Sequence, residues 1–446
     1  MVEAADEASG EGDEADRASS SLRGLPRNLW AASGASFLTD VSSEMILNLV
    51  PLFLANVLGV KTAVIGLIEG VAETTASLLK LVAGRASDRV GRKGLAVSGY
   101  TVSTLSKPVF AWATSWGVVA GARWADRMGK GVRTAPRDAL IADSIAPHQR
   151  GLAFGFHRAA DTGGAVVGLL IAMGVVWALQ GGRVELGHDA FRALVWASVV
   201  PAVLGVLCLA LGARDVRVAR PPPGAEPRSR ARLGRPFLVF LAIVGLFELG
   251  NSADAFLVLR AQESGLSVLG ILGVLLVFNA VYALVSTPAG RLSDRVGRRP
   301  VLIAAWLLYA AVYVGFAWTG SAWQTAGLYA LYGAYYGLAA GTGKALVADL
   351  VPAERRGAAF GAFNATLGLM DLPASLLAGV LWQGVGAWSG YGPAAPFLLG
   401  GSLAALAAAA LALWHPPDAG PTAGDGTGAP GASSESAARP DPTGAS

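Results

Sequence analysis

The sequence predicts an all-α integral membrane protein, with twelve transmembrane helices in two pseudo-symmetric six-helix bundles. Three observations carry that expectation. The 446 residues are 53% hydrophobic and only 15% charged, with a mean hydropathy of +0.49; soluble domains carry about a quarter charged residues. Apolar runs recur that match the roughly 20 helical residues needed to cross a bilayer. Finally, the segment Gly84-Arg85-Ala86-Ser87-Asp88-Arg89-Val90-Gly91-Arg92 returns as Gly290-Arg291-Leu292-Ser293-Asp294-Arg295-Val296-Gly297-Arg298, with only the third position changed. A duplicated bundle of apolar helices with one basic hairpin in each half is the layout of membrane carriers.

Residues 1–28 begin acidic (Glu3, Asp6, Glu7, Glu11) and lack the basic start and apolar core of a secretory signal, so they read as a disordered tail. Charged and Pro/Gly-rich breaks then divide the chain into spans at about 29–57, 62–83, 95–115, 116–142, 155–180 and 191–212. After the break at 213–235 follow 236–259, 267–289, 301–320, 323–347, 358–385 and 394–415. Membrane barrels use strands of about 10 residues with alternating polarity, and these runs are twice as long and continuously apolar. The break carries seven arginines and Pro221-Pro222-Pro223, which favour an extended, exposed linker between bundles at 29–212 and 236–415. Residues 416–446 are rich in Gly, Ala, Pro, Ser and Thr and read as a second tail.

The duplication reaches past the hairpin. Ala139, Asp143, Arg150, Gly151, Phe154 and Gly155 match Ala345, Asp349, Arg356, Gly357, Phe360 and Gly361 at the same offset. Arg and Lys gather in alternate loops, at 85–93, 148–150, 214–235, 291–299 and 355–356. That alternation places both termini in the cytoplasm. Basicity thus reports topology and gives no reason to expect a nucleic-acid partner. Arginine outnumbers lysine 29 to 6 and alanine and glycine abound, as in high-GC bacteria, so a bacterial cytoplasmic membrane is expected. The one cysteine, Cys208, lies inside a span and reads as a small apolar residue.

These residues resemble the major facilitator superfamily. Gly84, Asp88, Arg89, Gly91, Arg92 and Lys93 match its signature between helices 2 and 3. Gly290, Asp294, Arg295, Gly297, Arg298 and Arg299 match the echo between helices 8 and 9. The resemblance covers about 29–415 and implies two bundles rocking about a central site. Arg127 with Gly131 looks like the family's helix 4 pattern, whose duplicate is Gly333 with Gly337 and lacks the arginine. Drug–proton antiporters carry a Gly-Pro pair in helix 5; Gly163, Gly164 and Gly168 supply glycines here without the proline.

The hairpins read as short charged loops in which Gly84 and Gly91 allow close approach and turning, and Asp88 caps a helix start. Together Gly84, Asp88, Arg89, Gly91 and Arg92, with Gly290, Asp294, Arg295, Gly297 and Arg298, form a candidate conformational latch; the alternative is a topological anchor.

A charge at the bilayer centre costs ~2.5–3.5 kcal/mol or more, so each needs a reason. Asp40 and Glu44, and Glu69 and Glu73, have i,i+4 spacing on one face. Such carboxylates suit proton exchange, or pair with Lys80, Arg127 or Arg158. Glu69 stands nearer the outer end of its helix, within reach of water. Helix 4 carries Arg123, Asp126, Arg127, Lys130, Arg133, Arg137 and Asp138, and Arg123, Arg127 and Lys130 share a face that must meet a cavity or acids. His157 and Asp161 form a relay or a capping cluster. Glu248, Asn251 and Asp254 on helix 7, with Asp371 on helix 11, complete a candidate central site. The resulting candidates for proton coupling and the solute cavity are Asp40, Glu44, Glu73, Arg127, Asp161, Asn251 and Asp254. Lys107 precedes Pro108, where a kink would free carbonyls for it. Trp30, Trp116, Trp318 and Trp323 fit an aromatic belt at the span ends.

No ATP-binding motif, metal-ligand set or catalytic triad stands out, so no cofactor and no metal are expected and the chain is not read as an enzyme. The expected partners are a small-molecule substrate, protons and the lipid bilayer, with the chain acting as a monomer. The first functional reading is proton-coupled efflux of a small amphiphilic or toxic solute. The alternatives are proton-coupled uptake of a polar or chelated nutrient, and a non-transporting membrane receptor.

Overall fold

The duplication governs the fold down to helix boundaries. A computed structural model describes residues 25–145, 149–215, 233–352 and 355–414; the long tails and most of the arginine-rich linker lie outside them. The first half consists of α1 (Arg27–Glu44, prolonged to Val57 by short 3₁₀, α and π turns), α2 (Thr62–Val90), α3 (Arg92–Ala111), α4 (Trp116–Asp143), α5 (Arg150–Gln180) and α6 (His188–Gly212). The second consists of α7 (Arg235–Gly250 and, after a break, Ala255–Glu263), α8 (Val268–Val296), α9 (Arg298–Trp318), α10 (Ala322–Asp349), α11 (Arg356–Gln383) and α12 (Ala394–Leu413). α2 and α8, and α4 and α10, begin and end at positions separated by the hairpin offset, and α3, α5 and α6 begin at that offset from α9, α11 and α12.

Nine of these units are long and apolar enough to cross a membrane by length and composition. The other three, α3, α4 and α10, have comparable lengths of 20, 28 and 28 residues. α4 misses the criterion because of its interior charges. Pro108, Pro136, Pro201, Pro288 and Pro373 sit inside helices, where neighbouring helices in a membrane bundle can satisfy the carbonyl each one frees.

The hairpins are not loops. Helix continues through Val90 and Val296, and a single glycine makes each turn, Gly91 at φ +106° and Gly297 at φ +95°. Only glycine adopts that backbone without strain, so one residue suffices to join two spans. Gly84 meets only ordinary contact with Ala135, and a methyl group at Gly290 would meet open space. Close approach therefore explains neither.

Close approach instead shapes the seam between the halves along α2 and α11. A Cβ on Gly66 would fall 2.2 Å from the Ser375 carbonyl oxygen, one on Gly379 2.4 Å from that of Thr62, and one on Gly368 2.0 Å from the Ser77 Cβ. Small residues let membrane helices touch backbone to backbone. The second pseudo-equivalent seam, α5 against α8, has Leu272, Thr162 and Met173 at the corresponding places, and there Arg158 donates to the Tyr282 hydroxyl at 2.6 Å. The helix 5 glycines pack inward on α1: a Cβ at Gly164 or Gly168 would lie 2.4 or 2.5 Å from the carbonyl oxygens of Phe37 or Val41. Trp30, Trp116, Trp318 and Trp323 are all exposed, as a belt at the membrane surface requires.

Candidate functional site

α1 and α7 both lose regular helix at the same duplicated position, after Glu44 and after Gly250. The backbone opened there, together with the polar faces of α2 and α4, frames a cavity of about 300 Å³ lined by Asn48, Glu69, Glu73, Arg123, Arg127, Asn251, Ser252, Asp254, Tyr336 and Asp371. Asn251, Tyr336 and Asp371 also line a neighbouring cavity of about 360 Å³. Its walls are Phe240, Phe247, Trp306, Tyr335 and Phe363, with Lys80, Glu248 and Lys344 among its polar groups. A third space of about 140 Å³ brings Glu44 and Asn48 of the first half to Asp254, Asn279 and Tyr332 of the second.

The charged face of α4 meets acids. Arg123 grips Glu69 with Nε at 3.1 Å from both carboxylate oxygens and Nη2 at 2.6 Å from one. Glu69 is 3% exposed, so it does not reach water as its place in the sequence suggested; burial next to a planar guanidinium is the reason. Arg127 bonds Glu73 at 2.8 Å, and Arg123 lies 3.8 Å from the same carboxylate. Asp126 accepts from Ser103 at 2.5 Å, Ser103 accepts from Arg133 at 2.9 Å, and the Arg133 guanidinium lies 4.7 Å from the Tyr100 ring centre. Lys107 is buried and donates to the Ser43 hydroxyl at 3.2 Å, not to carbonyls freed by Pro108.

The carboxylates facing the other way are bonded by neutral groups. Asn48 donates to Glu44 at 2.6 Å, Asn251 to Glu248 at 2.9 Å, and the Tyr332 hydroxyl to Asp254 at 2.8 Å. Tyr309 donates to Asn251 Oδ1 at 3.1 Å. Behind these groups stands an aromatic wall: Phe247 stacks on Trp306 at 4.7 Å, Tyr309 on Tyr313 at 4.1 Å, and Tyr332 on Tyr335 at 5.7 Å.

Of the sequence candidates, Glu73, Arg127, Asn251 and Asp254 line one cavity, and Glu44 joins Asp254 in the small one. Asp40 and Asp161 line none of the three. Asp161 instead faces His157 at 3.7 Å, whose Nδ1 lies 3.2 Å from Ser33 Oγ. The tyrosines are absent from the sequence candidates, although the hairpin offset makes Tyr336 the counterpart of Lys130 and, carried through the rest of α3 and α4, gives Ser103, Lys107, Arg123 and Asp126 tyrosine counterparts as well.

At the hairpins, Arg92 bonds Asp143 at 2.6 Å, while Arg298 bonds Asp294 and Ser293 and lies 3.6 Å from Asp349. These pairs tie helices of one half together. The side chains of Arg85, Asp88 and Arg89 lie outside the described residues. The carboxylate that caps α3 is Asp215, beyond α6, which accepts from the backbone N–H groups of Arg92 and Lys93 at 3.2 and 3.3 Å. Asp294 and Arg295 are exposed.

The family model described as Major Facilitator Superfamily matches residues 32–281 and 255–440. An uncharacterized MFS-type transporter of Methanocaldococcus jannaschii is 34% identical over 86% of this chain and 94% of its own length. The multidrug resistance protein MdtH of Photorhabdus laumondii is 27% identical over 46% of this chain and 49% of its own length. In fold, the chain matches the crystal structure of a D-xylose-proton symporter with a TM-score of 0.67 at 17% identity, covering 87% of this chain and 97% of that one.

Proposed function

The chain belongs to the Major Facilitator Superfamily, and from that premise we propose that it is a proton-coupled carrier exporting a small amphiphilic solute by alternating access. It is a transporter and not an enzyme. The single observation that carries the reading is the meeting of two unlike walls in joined cavities. The aromatic wall of Phe247, Trp306, Tyr335 and Tyr336 suits the apolar body of a solute, and Asn251 and Asp371 offer it polar contacts. Glu44 and Asp254 carry the proton in this reading. Their bonded partners are an amide and a phenol, so either can gain or lose a proton without leaving a buried cation unpaired. Glu69 and Glu73 are committed to Arg123 and Arg127 and hold the first wall in place. Asp40 and Asp161 belong to a separate polar cluster.

In this reading the carrier acts as a monomer in a bacterial cytoplasmic membrane with both termini inside; the alternation of basic loops supports that orientation. On the same reading the two halves move as the units 29–212 and 236–415; the hairpin ion pairs hold each half together as it moves, and Asp88 and Arg89 remain the residues to steady one conformation of that movement. Uptake of a polar nutrient is the second reading, favoured by the charge-rich lining of the 300 Å³ cavity. The test uses everted vesicles acidified by respiration, challenged with a panel of drugs, cations and metabolites. Export predicts that one compound collapses the pH gradient, and that Asp254→Asn or Glu44→Gln abolishes the collapse while Asp40→Asn weakens it less. A folded protein that collapses no gradient moves the reading to uptake.

A further inference from the structure

The ends of α1 and α7 farthest from the hairpins meet through two amides that are each other's duplicates. Asn56 and Gln262 are separated by 206 residues, the hairpin offset, so each stands in its half where the other stands in the second. They bond reciprocally. Asn56 Nδ2 donates to Gln262 Oε1 at 3.0 Å, and Gln262 Nε2 donates to Asn56 Oδ1 at 2.8 Å. Each amide also takes a backbone partner: Asn56 Oδ1 accepts from Leu186 N–H at 3.0 Å, and Gln262 Nε2 donates to the Val184 carbonyl at 2.8 Å.

Both amides ride on segments that lie beyond the helix breaks. Asn56 sits in the π-helical turn Phe53–Val57, and Gln262 in the short helix Ala255–Glu263. Each segment is anchored to its own half. Phe53 stacks on Phe191 of α6 at 4.1 Å, and Arg260 donates to the carbonyls of Phe316, Ala317 and Thr319 at 2.8–3.2 Å. Pro51, just ahead of the π-helical turn, and Val258, on the other segment, line the 300 Å³ cavity.

We propose that Asn56 and Gln262 form a symmetric clasp that closes the cavity toward the face opposite the hairpins, and that must part for solute to reach that face. Because each segment moves with its own half, separating the halves at this end pulls the two amides apart. An amide pair suits the task. Each side chain keeps a donor and an acceptor for water when released, so no buried charge is exposed in opening.

The experiment measures access and needs neither solute nor gradient. Val258→Cys, in a Cys208→Ser background, is labelled with a membrane-impermeant maleimide added on the face bearing Asn56. Adding Asn56→Ala and Gln262→Ala should raise the labelling rate about tenfold, since little net free energy holds such a pair. The swap Asn56→Gln with Gln262→Asn keeps both amides and should label at the parent rate. Should the double alanine variant fail to fold, Gln262→Glu keeps the shape but sets acceptor against acceptor, and should give the same rise. An unchanged rate in folded variants overturns the clasp, while the transport reading stands or falls on gradient collapse alone.

Discussion

Ser103, Lys107, Arg123, Asp126 and Lys130 occupy the first half where Tyr309, Tyr313, Tyr329, Tyr332 and Tyr336 occupy the second. The two sets sit on helices whose starts coincide after the offset, so the same backbone has been filled in two ways. In the first half, buried polar side chains are paired: Arg123 with Glu69, Asp126 with Ser103, and Lys107 with the Ser43 hydroxyl. In the second half, a phenol presents a polar tip on an apolar ring, and the rings stack on one another. One half holds fixed charge, and the other holds a stack of buried rings. The duplication preserved the frame and released the contents.

The largest expected effect breaks the comparison at one equivalent pair. Arg123→Met leaves the Glu69 carboxylate buried without its guanidinium and should cost about 3–5 kcal/mol. At the matching position, Tyr329→Phe removes a buried hydroxyl that has no hydrogen-bond partner and should leave stability unchanged within about 0.5 kcal/mol. Adding Glu69→Leu to Arg123→Met should restore most of the loss, because the pair is then absent on both sides. Thermal unfolding in detergent reads all four proteins. Equal losses for Arg123→Met and Tyr329→Phe would mean that the halves do not differ in what holds them.

A smaller effect tests what the halves share. A Cβ on Gly131 would lie 2.7 Å from the Ala76 carbonyl oxygen, and one on the duplicate Gly337 would lie 2.8 Å from Val285. Gly131→Ala and Gly337→Ala should each cost about 1–3 kcal/mol by overpacking, with similar values in the two halves. The smallest concerns Asp215, whose capping of α3 belongs to the first half. Asp215→Ala should cost about 1 kcal/mol, measurable as faster hydrogen exchange at Arg92 and Lys93 with the second hairpin unaffected.

Much of this was legible in the residues, because membrane helices write themselves as apolar length and a duplication writes itself as an offset. The boundaries of α4, α6 and α12 lie within a few residues of the expected spans for that reason, whereas α2 runs seven residues past its expected end at 83. The hairpins misled, since the same charged residues are compatible with a loop or with the end of a helix; the turn depends on the φ angle of Gly91 and Gly297 alone. The pairing of Glu69 with Arg123 joins residues 54 apart, and no local pattern distinguishes it from Glu69 facing water. Asp215 was invisible as a cap because its partners lie on a different helix. The breaks in α1 and α7 carry no proline or glycine run at Met45 and Asn251 to announce them, although their shared offset could have prompted the question.

The glycine seam also has a consequence in time. Thr62 donates to the carbonyl of Gly379, a contact across 317 residues. At ribosomal rates of about 5–20 residues per second, the stretch between them takes about 15–60 s to make. Through that interval the bare backbone strip of α2 at Gly66 and Gly70 lacks the one helix shaped to cover it. Lipid or an early neighbour must shield it until α11 arrives. The last helices to be synthesised thus complete the packing of one of the first, and a chain released before α11 would expose that strip permanently.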